Sequence, residues 1–201
     1  MTEKQIERVK TKIKRIRGVL AAEKRTFGAY DDSRGLRYMP PQLYIQIADF
    51  SGAMTYLKWF QKNFEGDMGF PDFLFEWTLI LFMNKRFREA EKKAFETFCS
   101  NTYLFDKFFG KPVIAVYKYE SSKVEKPEFT ENLHYSSSQP ELSDFSQWLC
   151  AVISEENFKE ACAKFINVQM RLYSEEDSET RGYLLQLSRQ IRDNYGKFFK
   201  V

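Results

Sequence analysis

Few of the side chains in this sequence are suited to chemistry. His134 is the single histidine, and it lies in a Ser-rich stretch between Leu133 and Tyr135. That setting has no metal-ligand spacing and no second group for an acid–base pair. The three cysteines, Cys99, Cys150 and Cys162, are an odd number without CxxC spacing. A thiolate nucleophile needs a base within reach, and the only imidazole falls in an expected loop. Cys150, on the expected helix of Trp148, and Cys162, after Ala161, therefore read as small core residues. Asp31-Asp32 is half of a carboxylate site at most, and paired loop aspartates more often make Asx-turns. Glu155-Glu156 and Glu175-Glu176-Asp177 precede expected helices, where capping and the helix dipole account for them. GxGxxG, P-loop, HExxH and GxSxG motifs are absent. The expectation is a non-enzymatic protein with no catalytic residues, no metal site and no cofactor.

Charge offers a second kind of chemistry. The chain is close to neutral at +3, yet residues 1–25 hold nine Lys/Arg against three Glu. Lys10, Lys12, Lys14, Arg15 and Arg17 form a candidate patch for an anionic partner, either nucleic acid or an acidic surface. A solvated helix face is the plainer reading of the same residues. Lys58-Trp59-Phe60 and Lys85-Arg86-Phe87 set aromatics beside cations. Base stacking needs exposed rings along a basic groove, and at helical spacing most of these rings belong to the core. Nucleic acid is therefore the weaker partner class.

The elements that must position these residues are helical. Ile6, Val9, Ile13, Ile16 and Leu20 recur at steps of three and four, so a helix is expected from about Glu3 to Lys24. Thr2 and Gln5 have capping-box spacing at its start. Its apolar stripe must be covered by later helices or by a second copy of the chain, which makes a homo-oligomer a candidate. Gly28, Gly35 and Pro40-Pro41 mark a loop, and Pro41 opens a short helix with Leu43, Tyr44 and Ile47. Helices follow over about Ser51–Phe64, from Pro71 to the break at Asn84-Lys85-Arg86, and over Phe87–Phe98. Residues 111–139 hold a β-branched run, Pro112 to Tyr117, then a Ser-rich linker. Pro140 opens the last block. There, helices carry Phe145 and Trp148, then Phe158 to Tyr173, then a final helix N-capped by Ser178.

Three turns share a pattern: Phe50-Ser51-Gly52-Ala53, Phe87-Arg88-Glu89-Ala90 and Phe158-Lys159-Glu160-Ala161. The alanine lets two antiparallel helices approach, and the phenylalanine plugs the open end between them. Leu74 and Trp77 precede Ala90 by sixteen and thirteen residues, and Phe145 and Trp148 precede Ala161 by the same intervals. In these features the sequence resembles the tetratricopeptide repeat family over residues 40–100 and 140–173. Ala53 and Ala90 lie 37 residues apart, longer than that family's period of about 34. Pro41, Thr78 and Leu149 stand where the family has a glycine.

The resemblance implies an all-α fold of stacked antiparallel hairpins. Residues 1–26 form a basic amphipathic helix, 40–110 two hairpins, 111–139 an irregular insertion, and 140–201 a third hairpin with a capping helix. It also implies a scaffold that binds a peptide or partner helix on a concave surface, with Gln42, Gln46, Phe75, Leu79 and Phe82 facing the groove. The family's carboxylate-clamping residues are replaced here by Tyr38, Gln42, Phe75 and Leu79. The polar N-terminus has no signal-peptide core, no run spans a bilayer, and the cysteines suit a reducing compartment. Together these point to a cytoplasmic, non-membrane protein.

Overall fold

The computed structural model describes residues 1–30 and 32–195, and every regular element among them is helical. The chain divides into two compact units, Met1–Arg86 and the chain from Phe87 onward. Asp31 and residues 196–201 lie outside the described residues.

In the first unit, α1 spans Glu3–Phe27. Its capping box forms as expected: the Gln5 N–H donates to Thr2 Oγ1 and the Thr2 N–H to Gln5 Oε1. The helix ends at Gly28, whose φ of 72° suits a residue without a Cβ. Ile13, Ile16 and Leu20 are buried, and α1 packs on α2 (Met39–Gln46) and on the 3-10 turn Leu36–Tyr38. The apolar stripe is thus covered inside the unit from Ile13 onward, while Ile6 and Val9 stay half-buried.

The helix α2 starts two residues before Pro41, because the 3-10 turn feeds directly into it. Both prolines occupy its first turn, where a missing N–H costs nothing. After a tight turn, α3 runs Phe50–Asn63 behind an Asp49 N-cap. The next helix, α4 (Pro71–Met83), is apolar except for Asp72, Glu76 and Thr78, and it is buried from Phe73 through Leu81, Glu76 and Thr78 included.

A polar clamp holds the loop before α2. Asp32 is buried and accepts the N–H groups of Leu36 and Arg37, each at 2.7 Å. The Arg37 guanidinium bridges Asp32 (3.2 Å) and Asp67 (2.8 Å), and the Tyr38 hydroxyl donates to Asp67 at 2.7 Å. Burial works against the charge on Asp67. Hydrogen bonds from Tyr38, the Gly69 N–H and Arg37 outweigh it and hold the carboxyl below its ordinary value. Burial and the same carboxylate push Tyr38 up to about 12.

The second unit holds α5 (Phe87–Ser100), α6 (Leu104–Phe108), α7 (Ser143–Ser154), α8 (Glu156–Ser174) and α9 (Ser178–Asp193). Helix α8 packs on α5, α7 and α9. Phe95, Phe158 and Tyr195 meet there, with ring centroids 4.4 Å (Phe95–Tyr195) and 5.7 Å (Phe95–Phe158) apart. The N-cap of α9 is Asp177 rather than Ser178, since its carboxylate accepts the Thr180 N–H at 2.8 Å. A charged acceptor outcompetes the hydroxyl one residue on.

The irregular insertion contains only short 3-10 turns, Lys123–Glu125 and Pro127–Asn132, and no strand forms over Pro112 to Tyr117 among the described residues. It is nevertheless anchored. Asn101 donates to the carbonyls of Val124 (2.8 Å) and Lys126 (3.0 Å). The Tyr119 N–H reaches the Gln169 carbonyl at 2.9 Å. Lys118 is buried, paired with Glu120 at 2.7 Å, and lies 4.7 Å from the Tyr103 ring centroid.

Of the repeated Phe-x-x-Ala motif, all three alanines are buried. The phenylalanines differ: Phe158 is buried, Phe50 half-buried and Phe87 exposed. The plug expected at every turn is therefore present only at Phe158. No helix among the described residues is long and apolar enough to cross a membrane.

Candidate partner-binding groove

On α1, Lys10, Lys14, Arg17 and Ala21 follow steps of four, three and four, so they share one side of the helix next to its buried stripe. With Ile13 and Gly18 they form one wall of a groove of about 520 Å³, and Tyr30, Tyr44, Asp49 and Trp59 form the other. Four elements of the first unit therefore converge: α1, the loop after it, α2, and the start and middle of α3.

The aromatic wall is fixed by its own contacts. The Trp59 ring lies 5.2 Å from Tyr56, 5.7 Å from Phe64 and 5.6 Å, edge-on, from Tyr30. Tyr30 is docked from its loop by a hydroxyl bond to Asn63 Oδ1 at 3.1 Å, and Asn63 in turn donates to the Trp59 carbonyl at 2.7 Å. Lys24 also reaches Asn63 and lies 4.9 Å from the Tyr30 ring centroid.

Gly52 ties the far end of the groove together. A Cβ there would stand 2.3 Å from Asp49 Oδ2 and 2.8 Å from Tyr44 Cε1. Only glycine lets the first turn of α3 take the Asp49 cap (Gly52 N–H to Oδ1, 2.9 Å) while lying against Tyr44.

The electrostatics favour an anion. Lys14 and Arg17 are exposed and make no ion pair or side-chain hydrogen bond among the described residues. Lys10 bonds Glu7 at 2.8 Å, and that bond first, then the charges of Glu7 and Asp49, favour its protonated form. Asp49 is the one carboxylate among the described lining residues, and its charge faces the N-terminus of α3. The described lining holds no nucleophile–base pair. It can attract carboxylates along α1 and accept apolar groups against the rings.

Of the five cations expected to meet an anionic partner, the structure gathers Lys10, Lys14 and Arg17 on the groove, whereas Lys12 and Arg15 are exposed away from it. The residues expected to face a concave surface do not assemble into one. Phe75 and Leu79 are fully buried, a correction whose cause is the predominantly apolar α4: it is covered on every side from Phe73 through Leu81, even at Glu76 and Thr78. Gln42 and Phe82 are half-buried and Gln46 is exposed. Cys150 is exposed rather than core, because it falls on the outer side of α7. Burial pushes the thiols of Cys99 and Cys162 up. His134 is exposed, and Asp32 is spent in the Arg37 clamp. No group of three or more His, Cys, Asp or Glu suited to a metal ion occurs among the described residues.

Sequence reading missed Tyr30, Tyr44, Gly18 and Ala21, and Trp59, noted beside Lys58, lines the groove although most such rings were expected in the core. The four-three-four spacing through Ala21 was a usable signal for the α1 side. Nothing local marks Tyr30 or Tyr44, because the rings come from three separate elements. No family model, curated protein or solved structure matches the chain.

Proposed function

We propose that this protein is a non-enzymatic interaction module that captures an acidic segment of a partner protein in the α1 groove. The observation that carries the reading is the meeting of Lys10, Lys14 and Arg17 with an aromatic wall in one depression. Carboxylates satisfy the cations, and an apolar side chain among them fills the space against Tyr44 and Trp59. Protein is favoured over nucleic acid for two reasons. The rings already pack against one another and against Lys24, which limits stacking of bases. Asp49 also adds a negative charge where a phosphate backbone would run. The reading carries over the expectation of a scaffold-like binding protein and moves its surface from the inner helices of hairpins to α1. The buried alanines Ala53, Ala90 and Ala161 support a tetratricopeptide-like packing device. The free cysteines suit a cytoplasmic setting.

Panning a random peptide library against the wild type and against Lys14→Glu/Arg17→Glu tests this. Wild type is expected to enrich Asp/Glu-rich sequences that include a large apolar residue. The charge-reversed protein should bind them at least roughly tenfold more weakly, the scale expected for losing two exposed charge contacts and gaining repulsion. Peptides indifferent to the reversal would sink the reading. Tighter binding of single-stranded RNA with a steep salt slope would replace it.

A further inference from the structure

We infer that the groove is shaped for a partner in helical form, an amphipathic acidic helix lying along α1, rather than for an extended chain. This rests on the reading of the groove as an acidic-segment site and narrows what that segment must be.

Six of the lining residues belong to α1, Tyr44 to α2 and Trp59 to α3. Backbone groups inside these helices are consumed by their own ladders. Of the two described lining residues outside them, Tyr30 and Asp49, Asp49 already donates its N–H to the Tyr44 carbonyl at 3.0 Å. An extended peptide desolvated here would find at most the Tyr30 backbone and the cationic side chains, so most of its N–H groups would lack acceptors. A helix brings its own ladder and presents only side chains.

Helices pack with axes roughly 8–10 Å apart, and the closest approach needs small residues at the crossing. Gly18 and Ala21 supply them, three residues apart on the groove side of α1. A Cβ added at Gly18 meets nothing within 4 Å, so the space above it is open rather than filled by the protein's own core. A glycine in a helix interior is costly for the helix itself. Here it keeps a surface clear.

Lys10, Lys14 and Arg17 repeat at four and three residues, the period with which carboxylates align on one side of a facing helix. From Lys10 to Ala21 the wall runs about 16 Å at about 1.5 Å per residue, so it matches about three turns of a partner helix.

The test uses the full chain and three synthetic peptides of one composition. The first places glutamates at the four-three spacing with leucines beside them. The second carries a central proline, and the third has its glutamates permuted out of helical register. Binding is read by fluorescence anisotropy and peptide helicity by circular dichroism. The first peptide is expected to bind and gain helicity, and the other two to bind at least roughly tenfold more weakly. Gly18→Leu should weaken the first peptide similarly while melting at the same or a higher temperature. Lys14→Glu/Arg17→Glu should abolish binding of all three.

Equal binding of the proline peptide, or undiminished binding by Gly18→Leu, would overturn the helical inference. If that binding were still lost on charge reversal, the acidic-segment reading would survive alone. Failure of all three peptides to bind wild type would overturn both.

Discussion

Ala48 takes φ 54°, in the left-handed region, to turn the chain from α2 into α3. The bend is secured by Ala48 N–H to the Ile45 carbonyl at 2.9 Å and Asp49 N–H to the Tyr44 carbonyl at 3.0 Å. A Cβ is strained there, and Ala48 is exposed, so no packing is lost with it. Ala48→Gly is therefore expected to stabilise the protein by about 0.5–1 kcal/mol, the relief of strain less the added freedom of the unfolded chain. Urea denaturation measures it, and a lower midpoint would contradict the account. At this scale the sequence was legible where the partner is a few residues away. Thr2 and Gln5 find each other as their spacing requires. The alanines of Phe-x-x-Ala are buried at all three turns, because small size is useful wherever helices approach. The burial of each phenylalanine depends on what lies beyond the turn, which local spacing does not encode, and Phe87 is exposed as a result.

Two connecting segments depend on single charged side chains. Asp67 holds Arg37, Tyr38 and the Gly69 N–H, and its folded-state carboxyl titrates below the ordinary value of 3.8. A lowered value means its contribution is complete above that ordinary value and is lost as pH falls through the folded one. Wild type should lose stability progressively below about pH 4. Asp67→Asn should be less stable near neutrality and show a smaller acid loss, readable in urea midpoints across pH; an identical acid profile would contradict this.

In the insertion, Lys118 has a side chain only 4% exposed and Glu120 beside it. Glu120→Ala leaves that cation buried without its carboxylate and is expected to cost about 3 kcal/mol. Adding Lys118→Met to the same chain should recover much of the loss. A double variant no better than the single one would show that the pair is not the anchor. The Ser/Pro composition of 111–139 reads as linker because it lacks helical periodicity. The anchors that order it, Asn101 and Gln169, come from outside the segment.

Taken whole, the chain was legible as all-helical, since steps of three and four recur on both sides of 111–139 and turn residues separate them. The groove was not. One wall is a repeat within α1 and was half visible as a basic patch, but Tyr30, Tyr44 and Trp59 come together only through tertiary packing. The division at Arg86 is marked in sequence by no more than Asn84-Lys85-Arg86. All three cysteines lie in the second unit, which makes them reporters of its opening. Cys150 is exposed, whereas burial raises the thiol values of Cys99 and Cys162 and so suppresses their thiolates. Reaction with a thiol reagent at neutral pH should label one site quickly in the native protein and all three in denaturant. Rapid labelling of more than one native thiol would contradict that packing.

The first ten residues of α1, from Glu3 to Lys12, bury no side chain fully; the Thr2–Gln5 clasp, the Lys10–Glu7 pair and the Thr11 hydroxyl on the Glu7 carbonyl (2.8 Å) act within them, and Ile6 and Val9 are half-buried. Mechanically α1 is a cantilever rooted at Ile13, and a cantilever deflects most at its tip and least at its root. Arg17, Gly18 and Ala21 sit on the clamped portion, and Lys10 sits beyond the support. A ligand of the kind proposed would rest on a stiff seat at Arg17–Ala21 and a more compliant arm at Lys10. The arm can adjust its angle to the ligand without disturbing the core that holds the seat.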